Sequence, residues 1–129
     1  MNMAETGNRN KKRVLVVDDE LSILRFVKTS LSLAGYDALA ASSGEEALRL
    51  ARTENPDIVI LDIFMPSMSG YEVLREMRKF TDVPVVIFSA SRSAYEKAME
   101  YGADGFISKP FKPADLARKI EGILKGRKK

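Results

Sequence analysis

Cysteine and histidine are both absent from this 129-residue chain. Without cysteine there is no disulfide, no thiolate metal site and no thiol nucleophile. Without histidine the commonest general base and the commonest metal ligand are missing as well. Whatever chemistry the chain performs must run on carboxylates, hydroxyls and amines. Long hydrophobic runs are lacking too: the longest are about strand length, far short of the roughly 20 apolar residues of a membrane helix. The first thirteen residues, MNMAETGNRNKKR, hold no apolar segment that could serve as a secretory signal. These absences lead to the expectation of a cytoplasmic protein that does not touch membranes.

A strong charge bias is also missing from the body of the chain. The totals, 21 Lys and Arg against 18 Asp and Glu with a pI near 9.2, suggest a basic protein. However, eight of the basic residues lie in residues 1–13 and 125–129, and Val14 to Leu124 contains 13 basic and 17 acidic residues. Short basic ends read as flexible, solvated tails rather than nucleic-acid arms, so no direct nucleic-acid binding is expected. The length suits a single core. We expect one domain over residues 13–125, a flexible basic tail at 1–12 and another at 126–129.

What the chain does have is alternation between apolar runs and amphipathic stretches. VLVV (Val14–Val17), YDALAA (Tyr36–Ala41), IVIL (Ile58–Leu61), VVIF (Val85–Phe88) and GFIS (Gly105–Ser108) read as strands. Helices are predicted over 20–33, from the Ser43 capping-box spacing to about Thr53, over 70–79, over 93–101, and from Pro113 onward. Such alternation argues for a parallel sheet with helices on both faces. The first, third and fourth strands are wholly apolar, as centrally buried strands should be, whereas the second and fifth are mixed. With right-handed crossovers, the order 2-1-3-4-5 places the apolar three in the middle. The order 3-2-1-4-5 would bury YDALAA and leave IVIL at an edge, which fits worse.

The out-of-place polar residues all fall at the carboxyl ends of those strands. Asp18, Asp19 and Glu20 follow the first, Asp62 the third, Ser89 the fourth and Lys109 the fifth. Taken singly, each is ordinarily a turn or cap residue. Together they meet at the crevice between the first and third strands, where open α/β sheets bind ligands. Clustered carboxylates repel one another unless a cation intervenes, and oxygen donors favour a hard ion such as Mg²⁺. Carboxylates, hard cation, hydroxyl and ammonium together suit phosphoryl transfer.

The stretches VLVVDDE, DIVILDIFMPSMSGYEVL, VPVVIFSA and GADGFISKPF, in that order and spacing, resemble the receiver domain of two-component response regulators, over about Arg13 to Lys125. The resemblance implies a flavodoxin-like doubly wound fold with Asp62 as phosphoacceptor and Asp18, Asp19, Asp62 and the Phe64 backbone carbonyl around Mg²⁺ or Mn²⁺, Asp18 mostly through water. It further implies Ser89 as switch hydroxyl, Phe106 as switch aromatic, Lys109 as phosphate-pairing lysine and a cis Lys109–Pro110 bond. Phe64 and Ser91, flanking the acceptor, are expected to tune the phosphoryl lifetime. The implied partners are a sensor histidine kinase or phosphotransfer protein, and a downstream protein or second copy on the face of the fourth helix, fifth strand and fifth helix. Lys97, Glu100, Asp104, Lys112 and Arg118 on that face are candidates for ion pairs across it, although solvated surface charge is the ordinary role of each. The chain is expected to accept a phosphoryl group rather than turn over substrates.

Three other readings compete with this one. A longer DNA-binding regulator containing this receiver is the main alternative to a stand-alone one, which the sequence favours only slightly. An aspartyl phosphatase would need a second acid two residues after Asp62, where Phe64 stands. A flavodoxin-like FMN carrier would need a hydroxyl- or glycine-rich phosphate cradle after the first strand, where DDE would repel phosphate.

Overall fold

The computed structural model describes residues 11–126, so residues 1–10 and 127–129 of the expected tails lie outside the described residues. The strands are β1 (Arg13–Val17), β2 (Asp37–Ala41), β3 (Ile58–Asp62), β4 (Val85–Ser89) and β5 (Gly105–Ser108). The helices are α1 (Leu21–Leu33), α2 (Gly44–Thr53), α3 (Gly70–Met77), α4 (Arg92–Met99) and α5 (Pro113–Gly126). All pairings are parallel, in the order β2-β1-β3-β4-β5. This is the doubly wound order expected from where the apolar strands fall. Gly126, expected to belong to the final tail, lies in α5.

Burial explains the order. β3 and β4 are buried at every position and β1 at all but its first, whereas β2 and β5 are mixed. The two-residue alternation along each strand then divides the core into two layers. Val14, Val16, Ile58, Ile60, Val86 and Phe88 pack with Leu24, Val27 and Leu31 of α1 and Leu116 and Ile120 of α5. Leu15, Val17, Val59, Leu61, Val85 and Ile87 face α2, α3 and α4. Each such side chain, fully removed from water, contributes about 1.5–3 kcal/mol, which fixes the strands as a rigid platform.

Local chemistry sets the ends of the helices. Gly35, at φ +96°, and Gly102, at φ +97°, carry the left-handed turns that stop α1 and lead out of α4. At α2, Ser43 accepts from the Glu46 amide, but Glu46 returns its bond to the Ser42 amide, so the predicted capping box is only half formed. A complete box occurs instead at α3, where Ser69 and Glu72 each accept from the other's amide. α4 starts at Arg92 rather than Ser93, because Ser91 is its cap. α3 ends at Met77, two residues before the predicted end.

Gly70 and Gly122 make contrasting predictions. A methyl group at Gly70 would lie 2.4 Å from the Asp62 carbonyl oxygen and 2.7 Å from the Ile63 Cα, both backbone atoms. Gly70→Ala should cost about 1–3 kcal/mol in urea denaturation. Gly122, inside α5, has nothing within 4 Å of a built Cβ. Gly122→Ala should gain about 0.5–1 kcal/mol from helix propensity. Equal stability of the two variants would contradict this reading of both positions.

Candidate phosphoryl-transfer site

Because β1 and β3 are neighbours and run in parallel, the residues that follow them emerge side by side. Val17 pairs with Leu61, so Asp18 and Asp62 both stand one step further along. Asp18 is fully buried, Asp62 is 5% exposed and Asp19 is exposed. Carboxylate oxygens of all three lie within 4.8 Å of one another. This is the strand-end cluster the sequence implied.

Each acid is held differently. The Asp18 amide donates to Ala41 O on β2, and its Oδ1 accepts from the Glu20 amide at 2.9 Å. That bond closes a turn ahead of α1 and is not a helix cap; the Glu20 side chain, at the N-cap, makes no capping bond. The other Asp18 oxygen meets the Lys109 ammonium at 2.9 Å, and Asp62 Oδ1 lies 3.6 Å from the same nitrogen. The Lys109 amide donates to Ser89 O, and the Lys109–Pro110 bond is cis, as expected. Ser89 is buried, with its Oγ accepting from the Ser91 amide. Phe106 is half-buried against Tyr95, ring centroids 5.2 Å apart.

The charges explain the titration. Burial pushes the Asp62 carboxyl up to about 6 from 3.8, and the negative charge of Asp18 adds to the rise. Lys109 and the Phe64 amide oppose it without cancelling it. For Lys109, burial works against the ammonium, but the Asp18 and Asp62 carboxylates outweigh it and raise the pKa. A crevice of about 390 Å³ opens over these groups, lined by Asp19, Glu20, Asp62, Phe64, Ser89, Ala90, Ser91 and Lys109. A donor set of clustered carboxylates, one fully buried, fits a hard divalent cation.

Phe64 is 65% exposed at the rim of the crevice. Ser91 also lines it, although its Oγ is engaged in capping α4 and contacting Ser93. The charges expected to pair across the face of α4, β5 and α5 are mostly engaged within the chain. Asp104 binds Arg78 at 3.0 Å, Arg118 pairs with Asp115, and Lys97 lies 4.7 Å from the Tyr71 ring centroid. Glu20 lines the crevice beside Asp19, as its place at the end of the first strand implied. One residue at the site escaped the sequence reading. Phe88, read only as core, has its ring under the Lys109 ammonium.

The sheet order and the acidic and basic side chains gathered in one crevice at its strand ends define a doubly wound α/β protein with a charged strand-end site. The chain matches the response regulator receiver domain family over residues 14–121 and belongs to that family. It is 42% identical over 118 residues to the probable transcriptional regulator ycf27 of Cyanophora paradoxa, covering 90% of this chain and 49% of that protein. It is 38% identical over 117 residues to the alkaline phosphatase synthesis transcriptional regulatory protein PhoP of Bacillus subtilis, covering 88% and 49%. The chain thus spans about half the length of these curated relatives. A response regulator receiver domain protein from Methanospirillum hungatei superposes with a TM-score of 0.86 at 31% identity, covering 91% of this chain and 96% of that one. The Vibrio cholerae chemotaxis protein CheY4 gives 0.81 at 32% identity, covering 88% and 98%. The protein is a receiver of two-component signalling. Among the described residues, no helix is long and apolar enough to cross a membrane.

The raised Asp62 pKa has a sign that can be tested. Above about pH 6 the ionised carboxylate costs the fold stability, and below about pH 4 both folded and unfolded states are protonated and the cost vanishes. Asp62→Asn should therefore stabilise the metal-free protein at pH 7.5, by about 1–3 kcal/mol at most. The gain should fade as pH falls from 6 to 4. It should also shrink when a divalent cation binds the wild type in preference. A destabilised Asn variant in metal-free buffer would contradict the crowding of carboxylates.

Proposed function

We propose that Asp62 accepts a phosphoryl group from a phosphohistidine on a sensor histidine kinase or phosphotransfer protein. The observation that carries this reading is a buried carboxylate with two further acids and an ammonium converging on it. The Asp62 oxygen forms a P–O bond as the P–N bond to the donor imidazole breaks, and the imidazole nitrogen takes up a proton. A pKa of about 6 leaves Asp62 mostly ionised at neutral pH, as a nucleophile requires.

Asp18, Asp19, Asp62 and the Phe64 carbonyl are the oxygen donors that would hold Mg²⁺, or Mn²⁺ in its place. When bound, the cation supplies the charge neutralisation that lets two anions approach. Lys109 supplies a second positive charge, exchanging carboxylate oxygens for phosphoryl oxygens. The Ser89 hydroxyl turns from the Ser91 amide to donate to the phosphoryl group, and Phe106 moves toward the space it leaves. That shift alters the face of α4, β5 and α5, through which the protein would bind a downstream partner or a second copy. The reading is of a cytoplasmic acceptor that dephosphorylates itself slowly, not of an enzyme turning over external substrates. Phe64 at the rim shields the acyl phosphate from water, and Ser91 flanks it on the other side.

A transcriptional output is favoured by the names of the curated relatives, in which a chain of this length makes up about half of each protein. In that reading another domain of a longer regulator contacts DNA, and this one controls it.

Incubation with acetyl phosphate and Mg²⁺ tests the proposal by mass. The wild type should gain one phosphoryl group and Asp62→Asn none; a variant that still labels would move the acceptor to Asp18 or Asp19. Lys109→Ala should be modified without the accompanying change in α4 and β5, seen by NMR. Phe64→Asn should shorten the phosphorylated half-life, and a longer one would remove the shielding role.

A further inference from the structure

Lys109 has a third partner besides its two carboxylates. Its Nζ lies 4.6 Å from the centroid of the Phe88 ring, within cation–π range. Phe88 is fully buried, and in the parallel register it stands opposite Asp62. Its ring is itself held, meeting Phe111 edge-on at 5.9 Å and 63°. Phe111 in turn meets Phe26 of α1, ring centroids 6.4 Å apart and planes tilted by 42°.

Core packing alone needs only an apolar side chain of suitable volume before Ser89, and leucine or methionine would serve. An aromatic ring adds an electron-rich face. Attraction between an ammonium and two carboxylates has little directionality, and here the nitrogen sits off-centre, 2.9 Å from Asp18 and 3.6 Å from Asp62. The ring face restricts where a flexible lysine can place its charge, and it excludes water from one side of that charge. We infer that Phe88 is a positioning residue for Lys109, its ring face fixing the ammonium beside the Asp62 carboxylate where the acceptor's new charge develops. The inference rests on the reading of Asp62 as phosphoacceptor.

The test varies electron density on the ring with little change in its shape. Phenylalanine, 4-fluorophenylalanine and 3,4,5-trifluorophenylalanine are placed in turn at position 88 of the full chain. The dissociation constant for beryllofluoride with Mg²⁺ is then measured by calorimetry, alongside Tm. Affinity should fall stepwise with fluorination, by about two- to fivefold in total, without a matching fall in Tm. The same series at Phe111 should leave affinity unchanged, and so should the series at 88 in a Lys109→Ala background. A flat series at 88, or a slope that persists in the Lys109→Ala background, would overturn the inference and leave Phe88 as core packing. Failure of the wild type to bind beryllofluoride, or equal binding by Asp62→Asn, would instead overturn the phosphoacceptor reading.

Discussion

Everything at the site depends on Lys109 reaching across the strand ends to Asp18 and Asp62. Two buried carboxylates placed together repel each other and lose hydration, and neither cost is recovered by packing. The lysine comes from β5, two strands away from β3, so the ion pair exists only when the whole sheet has formed in the correct order. The pairing is incomplete: Asp62 remains raised to about 6 even with the ammonium 3.6 Å away. Burial is the main reason, with the negative charge of Asp18 second, and both disfavour an ionised carboxylate that has no further positive charge beside it. A fully neutralised pair would have much less reason to exchange partners.

A site that costs stability needs a scaffold that does not deform around it. β1, β3 and β4 lie between two helical layers and offer little freedom to relax by moving strands. The loop after Asp62 is fixed as closely. The Gly70 amide donates to Ile63 O at 2.8 Å, an approach so close that no side chain fits there, and the Ser69–Glu72 box starts α3 immediately afterwards. Asp62 therefore stands between a rigid strand and a pinned turn. Ser89 and Phe106 differ: the serine hydroxyl accepts a single local amide and the aromatic ring is only half-buried, so both can move at modest cost.

Much of this was legible because the signals were local or periodic. Wholly apolar runs marked the three central strands, mixed ones marked the edges, and a charge directly after an apolar run marked a strand leaving the core. At the predicted capping box, a competing local bond decided the outcome. Ser43 and Ser69 have the same spacing to a following glutamate, yet Glu46 is drawn to Ser42 and only Ser69 completes its box. Asp104 was a candidate for pairing across the face of α4, β5 and α5. Within the chain it joins Arg78, 26 positions earlier, and accepts from the Val85 amide. No periodicity encodes such a partner, because it depends on how two loops meet at the amino-terminal edge of the sheet.

The sequence by itself determined the elements, their order in the sheet, and the edge at which the acidic and basic residues would gather. Side-chain period and uninterrupted apolar runs are properties of short segments, written in the chain before any distant contact forms. Only the tertiary structure decided which oxygen of Asp18 faces Lys109, how far Asp62 is driven from its ordinary pKa, and that the Phe88 ring lies beneath the ammonium. Those facts are distances of a few ångströms between residues far apart in the chain. Coulombic and cation–π energies depend on such distances and on burial, and neither is specified until the strands are in register.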